Sequence, residues 1–469
     1  MKSEKLHEAI GEIREEYIAD ANKSPAADRV KWLRFAAVAA GILLVVGTVA
    51  FFLKGFIRSE TVPISTEMTK APVKPVFTAS VNLLSGYSRK NTEEPLVTDA
   101  LRESCSDFSF EMFRRVSDST GKGNILVSPL SAYYCLALAA NGADGETKAE
   151  LEKVLGLSTD ELNRELYAFE RMIPVSAEQK MTLANSLWFR DTGEIEMQES
   201  YLQTLADWYD TGVYGEPFDN ETVRKINQWC SENTDGMIPG ILDSPPTDED
   251  MIFLLNAVAF KGVWEKEYRE DDVIEKSFRN ADGSSKSVSM LKSWESTYLK
   301  DDTAVGVVRP YRHGEFQFAA LLPLDDDMDI YEFAASLTAE SWNNLWQNRI
   351  QSAEVQTTIP EFSVEEEYLL SETMKAMGIR KLFSDDADLT KMARSAGAPL
   401  SASEIRQKTF LKLSREGTEA AAATVVNVTG AAAEQAPTVR KVVTLDRPFV
   451  YLILRDEIPV FIGVTASIE

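Results

Sequence analysis

Two histidines, His7 and His313, and three cysteines, Cys105, Cys135 and Cys230, are the groups from which a Ser-His-Asp or Cys-His centre would have to be drawn. They do not make one. His313 sits in Y-R-H-G-E, which reads as a turn, and the sequence has no G-x-S-x-G, no phosphate-binding glycine loop and no H-E-x-x-H. Three scattered cysteines form neither a disulfide framework nor a metal-ligand spacing, and Cys135, in Y-Y-C-L-A-L-A-A, reads as a small buried hydrophobe. No catalytic residue, metal or cofactor is therefore expected. The stretch that stands out instead does so by its conformational pattern. Residues 415–427 read R-E-G-T-E-A-A-A-A-T-V-V-N. Four alanines favour a helix, while Gly417 ahead of them and Thr424, Val425 and Val426 behind them do not. At a period of two the segment becomes coherent. Thr418, Ala420, Ala422, Thr424, Val426 and Val428 share one side, all small or β-branched and uncharged, with Glu419 and Asn427 on the other. A strand of that pattern can lie in solvent and can also slide into a sheet with one face buried.

The elements that would position such a segment are spread over the whole chain. At 469 residues, 44% hydrophobic and 26% charged, the composition is that of a globular protein with ample core. Its net charge of −25 argues against a nucleic-acid partner. Residues 1–34 are polar and read as a cytoplasmic tail. Residues 35–53, F-A-A-V-A-A-G-I-L-L-V-V-G-T-V-A-F-F-L, are uncharged. At 1.5 Å per residue they reach roughly 28 Å, enough to cross a hydrocarbon core. Lys23, Arg29, Lys31 and Arg34 precede this run and only Lys54 and Arg58 follow closely, which places the N-terminus inside and the rest outside. The competing reading is a signal peptide cut near Thr48-Val49-Ala50. It requires an unusually long charged leader, and a mature chain beginning near Phe51 would decide for it. Residues 54–96, rich in proline and threonine, read as a stalk, part of which, V-N-L-L-S-G-Y, could pack on the domain.

From residue 97 onward the order is helices first, then strands with helices between them. Leu101, Phe108, Met112 and Phe113 recur at helical spacing over 100–115, and Ser128-Pro129 marks a helix start that the serine hydroxyl could cap. Residues 183–190, 254–265 and 316–323 read as buried strands, and 226–242 as a helix followed by a turn at Thr234 and Gly236. These blocks carry a resemblance. G-N-I-L-V-S-P-L-S, with Asn124, Ile125, Ser128, Pro129 and Ser131, then Gly142, Ala143 and Thr147, is similar to a signature of the serpins. So are N-A-V-A-F-K-G-V-W-E with Asn256 and Trp264, M-G-I-R-K-L-F-S-D-D-A-D-L-T at 377–390, the hinge L-K-L-S-R-E-G-T-E-A-A-A-A-T, and the terminal R-P-F-V-Y-L-I-L with F-I-G. Eight such blocks fall in the family's order over the last four-fifths of the chain.

The resemblance implies an α+β serpin fold, with helices around three β-sheets and an exposed reactive loop at about 415–440, as residues 97–469 of a membrane-anchored, bacterial-type member. It implies that Ser128, Ser131, Asn256, Trp264 and Gln407 lie where the central sheet opens, and that Gly417, Thr418, Ala420, Ala422 and Thr424 form the hinge and inserting face. The implied activity is that of a monomeric suicide inhibitor of extracellular serine proteases. Cleavage of the loop would free its hinge side to join the central sheet. Loop insertion in this family is itself a standard example of strand addition and strain release. On the order of ten new backbone hydrogen bonds at roughly 0.5–1.5 kcal/mol each make the step downhill by about ten kcal/mol. Counting from the hinge places the cut between Ala431 and Ala432, suited to a small apolar pocket of elastase or subtilisin type. Counting back from Pro448 moves it on to Ala433 and Glu434 or just beyond. Two departures stand out: Gln407 occupies a position where the family often has histidine, and Arg415 one where glutamate is usual, so an ion pair there must be absent or rewired. A family member that is merely cleaved as a substrate, and an anchored binding protein without protease chemistry, are the alternatives.

Overall fold

A run that is apolar but for Asn256, such as I-F-L-L-N-A-V-A-F, suits a strand covered on both faces, and that strand sets the architecture. The computed structural model describes residues 80–174, 176, 178–397, 399–418 and 440–468. The expected anchor at 35–53, the tail at 1–34, and Ala420, Ala422, Thr424 and the 431–434 candidates lie outside the described residues. Among the described residues, no helix is long and apolar enough to cross a membrane.

The central sheet contains β1 (Gln179–Arg190), β2 (Thr211–Glu216), β3 (Ile252–Val263), β4 (Phe362–Leu369), β5 (Ala402–Leu413) and β6 (Gly417–Thr418), in the spatial order β4-β5-β6-β3-β1-β2. β3 is antiparallel to β1 and parallel to β5, with Asn256 opposite both Asn185 and Gln407. A second six-stranded sheet is built around Phe316–Pro323, Phe449–Arg455 and Ile458–Thr465, and a third, four-stranded one holds Val273–Arg279, Ser285–Glu295, Glu354–Pro360 and Arg440–Thr444.

Of the helices around it, α2 (Pro129–Gly142) and α5 (Asn220–Asn233) bear on the central sheet, while α1 (Asp99–Thr120), α3 (Thr159–Arg171) and α4 (Glu199–Trp208) pack against α2. α2 is buried at nearly every position, as an all-round apolar helix must be. It packs between the first two sheets, against β1, β3 and Ile458–Thr465. α5 covers the opposite face of the central sheet, where Ile226, Trp229 and Cys230 join Ala184, Trp188, Leu255 and Ala257 in a separate apolar cluster. The alternating side chains of β3 thus serve two cores. Ser128 begins α2, but its hydroxyl does not cap the helix; it donates to the Val460 carbonyl at 2.8 Å, tying the helix start to the second sheet.

Of the stretch expected as a stalk, residues 80–96 are described, and they lie against the domain. Asn82 Oδ1 accepts from the Val213 amide of edge strand β2 at 3.1 Å. Asp207 in α4 accepts from the amides of Lys90 (2.5 Å) and Asn91 (3.2 Å). Leu84 is buried and the Arg89 guanidinium lies 3.7 Å over the Tyr167 ring of α3. The segment supplies the outer edge of the sheet with a polar partner that its own composition does not announce.

Candidate functional site: the hinge and the sheet beneath it

β5 ends at Leu413 and the chain reverses at once. Ser414 N donates to Gly417 O at 2.8 Å, and the returning Gly417 and Thr418 form β6, wedged between the ends of β5 and β3. Leu413 faces Thr418, Gly417 faces Val263 and Thr418 faces Gly262. Gly417 is at φ +152°, and a Cβ there would overlap the Gly262 carbonyl oxygen, so the close approach of two backbones requires glycine. Thr418 is fully buried, and its hydroxyl is 2.6 Å from the Tyr311 hydroxyl.

An aromatic and charged assembly holds this hinge. Trp264 stacks on Tyr311 with ring centres 4.4 Å apart and planes 11° from parallel. Its indole Nε1 donates to Ser414 O at 2.9 Å, and its amide to Glu416 O at 3.1 Å. Arg309 lies over the rings of Tyr268 (4.1 Å) and Trp264 (5.0 Å) and forms a buried ion pair with Glu295. Burial pushes the Tyr268 phenol up to about 12 against the pull of Arg309, and pushes that of Tyr311 well above its usual value. Both hydroxyls stay protonated at neutral pH. Arg415 has found its own acid: Glu361 Oε1 accepts from the Arg415 amide at 2.9 Å and lies 3.8 Å from its guanidinium. The ion pair at the top of the sheet is rewired, with the cation now on the loop.

Below Thr418 the gap closes. β3 and β5 pair directly, in parallel, from Ile252 opposite Ala402 to Ala259 opposite Phe410. At the middle of this ladder lies a buried neutral network. Gln407 Oε1 accepts from Ser128 N at 2.9 Å, while its Nε2 donates to Ser128 O at 2.8 Å and to Asn256 Oδ1 at 3.1 Å. Asn256 Nδ2 donates to Asn185 Oδ1 at 2.5 Å and to the Ser131 hydroxyl. The Cys135 thiol, pushed up to about 12 by burial, keeps its proton and donates to the same Asn185 oxygen at 3.2 Å. Trp264, Gly417 and Thr418 therefore gather at the end of one ladder, and Asn256 and Gln407 at its middle, where Ser128 and Ser131 meet them from the start of α2. Asn185, Tyr311, Arg309, Glu295 and Glu361 went unrecognised in the sequence. Asn185 alone carried a signal, as an amide inside the apolar run L-A-N-S-L-W-F.

Among the described residues, no group of three histidine, cysteine, aspartate or glutamate side chains is placed to hold a metal ion. His313 lies in a turn at φ +66°, exposed, with Nε2 3.5 Å from Glu178. What the geometry offers is mechanical: a mixed sheet whose two central strands are parted at one end by the first two residues of a long connection, and zipped together below. That defines an α+β protein whose sheet has begun to admit its own loop. The profile of the serpins, serine protease inhibitors, matches residues 103–468, and the chain belongs to this family. Leukocyte elastase inhibitor A of Mus musculus is 31% identical over 363 residues, covering 74% of this chain and 93% of that protein. Among solved structures, the native state of the thermophilic serpin tengpin superposes with a TM-score of 0.77 at 34% identity, over 83% of this chain and all of the other. The latent state of tengpin gives 0.68 at 33% identity, over 81% of this chain and all of the other. The described fold thus lies nearer the native arrangement.

Proposed function

We propose that this protein is an inhibitory serpin that traps an extracellular serine protease covalently by inserting its cleaved loop into the central sheet. The observation that carries the reading is β6: Gly417 and Thr418 already occupy ladder positions between β3 and β5, with Thr418 buried. Continuing that register at a period of two would send Ala420, Ala422 and Thr424 to the same face, all small enough to follow. In the proposed reaction the protease serine oxygen attacks the Ala431 carbonyl carbon. The Ala431–Ala432 amide bond breaks, the amine of Ala432 leaves with a proton, and Ala431 remains esterified to the enzyme. Insertion of the freed strand then drags the acyl-enzyme along the sheet before water can release it. An alanine at the cut bond, and the name of the mouse relative, favour an elastase-like target; a subtilisin-like one would also accept it. The apolar run 35–53 and the basic residues before it support an anchored protein with its serpin domain outside the cell.

Incubation with pancreatic-type elastase and with subtilisin tests the reading. The expected product is an SDS-stable adduct about one protease heavier than the serpin, and N-terminal sequencing of the released fragment should begin at Ala432. Clean cleavage by both enzymes without adduct would sink the inhibitory reading in favour of a substrate-type serpin.

A further inference from the structure

Among the described residues, the four-stranded sheet exposes three large apolar side chains, Ile274 at 38% and, more strongly, Trp294 and Val442. Trp294 on Ser285–Glu295 is 56% exposed and Val442 on Arg440–Thr444 is 69% exposed. They are not scattered. Gln356 on the strand between them faces Trp294 on one side and Val442 on the other, so the three side chains stand in one row on one face. With strands about 4.8 Å apart, the row is roughly 10 Å long. A cation borders it on each of the two strands flanking Gln356: exposed Lys292, two residues before Trp294, and exposed Arg440, two before Val442 and bonded to Glu354 at 2.8 Å. An exposed tryptophan beside a second apolar group, rimmed by charge, has the make-up of an interface hot spot.

Its place in the chain says what would cover it. Arg440–Thr444 is the direct continuation of the segment that carries the candidate bond. Val442 is about 7 Å along the strand from Arg440, and Ala432 is at most roughly 30 Å of extended chain before Arg440. A protease domain of about 240 residues has a radius of gyration near 18 Å and a diameter above about 40 Å. A protease holding the loop in its cleft therefore reaches over this face. We infer that the row Trp294, Gln356 and Val442 is a docking surface for the body of the target serine protease, contacting an apolar, acid-rimmed patch beside its active-site cleft and setting the rate of encounter before the loop is cut. This rests on the inhibitory reading above and adds a second contact to it.

The test uses the full chain and its Trp294→Ser and Val442→Ser variants, whose changes are at the surface and leave the core intact. The rate of adduct formation with pancreatic elastase should fall about tenfold or more in the double variant, with the number of serpin molecules consumed per trapped protease unchanged. A rate within about twofold of the parent overturns the inference. Binding of elastase whose catalytic serine is replaced by alanine is measured in parallel, because it needs no covalent step. Weaker binding by the double variant supports the surface even if no adduct forms with active enzyme, an outcome that would strike only the covalent reading. Equal binding, or none by the parent, overturns the surface. So would light scattering that shows a parent dimer split by the double variant, which would make the row a contact between copies.

Discussion

Along a single ladder, β3 meets β5 in two ways. At its Val263 end the strands are parted by Gly417 and Thr418, and the surrounding groups are aromatic and charged: Trp264 on Tyr311, Arg309 with Glu295, Arg415 beside Glu361. From Ile252 to Ala259 the strands are zipped, and the fully buried network on the α2 side is one of neutral amides, hydroxyls and a thiol, with the ion pairs of Arg406 and Lys408 on the other face. The difference lies in what separation would break. At the end, the bonds of Trp264 run to the backbone of the hinge turn and survive insertion of a strand below it. In the middle, Asn256 on β3 is bonded to Gln407 on β5 and to Asn185 on β1, so parting β3 from β5 orphans buried polar groups at about 1–3 kcal/mol each. In the proposed insertion the hinge end is already parted, whereas the middle would supply the barrier.

The comparison can be broken most directly at Thr418. Arginine there would have to place a guanidinium in a slot lined by Tyr311, Gly262 and Leu413, and an unpaired buried charge costs several kcal/mol. The partition between adduct and released, cleaved Thr418→Arg protein should shift toward cleavage by at least about tenfold, read on a denaturing gel against elastase. Unchanged trapping would mean that Thr418 does not lead the inserting face. Asn256→Ala probes the middle. It leaves the Ser131, Asn185 and Gln407 groups without their shared partner, so the native state should lose about 1–3 kcal/mol or more in urea unfolding, with faster loss of inhibitory activity on warming. An unaltered midpoint would show that the network is not the barrier. The smallest effect is expected at Arg415→Glu, which sets two acids together at a half-exposed site. Pairs of that kind are worth about 0–1 kcal/mol, so adduct should still form with only a slight shift in the unfolding midpoint. A loss comparable to that of Asn256→Ala would move the barrier from the middle of the ladder to its end.

Strands whose pattern arises from burial on both faces were legible. Residues 316–323 coincide with Phe316–Pro323, and 254–265 overlap all but the first two residues of Ile252–Val263 and run two past its end. The helix read over 100–115 runs on to Thr120, because Ser117, Ser119 and Thr120 satisfy their hydroxyls on carbonyls of the preceding turn and so end the helix late. Ser128 shows the opposite case. Its sequence context is that of a cap, but the Val460 carbonyl, supplied from the far end of the chain, takes the hydroxyl instead. Beyond V-N-L-L-S-G-Y, residues 88–96 look like a linker because their contacts, amides of Lys90 and Asn91 to Asp207 and one arginine over Tyr167, follow no period that a pattern could reveal.

By itself the sequence determined the periodicities: an apolar strand that must be buried, a helix apolar all round and a small-residue run able to become a strand. These follow from neighbours in the chain. Only the tertiary structure decided the partners. Tyr311 and Thr418 are 107 residues apart and meet at one hydroxyl contact; Asn185, Asn256 and Gln407 come from three strands; Glu361 answers Arg415 across the top of the sheet. A buried polar group must find a partner wherever the fold brings one, and local sequence holds no record of which one that will be.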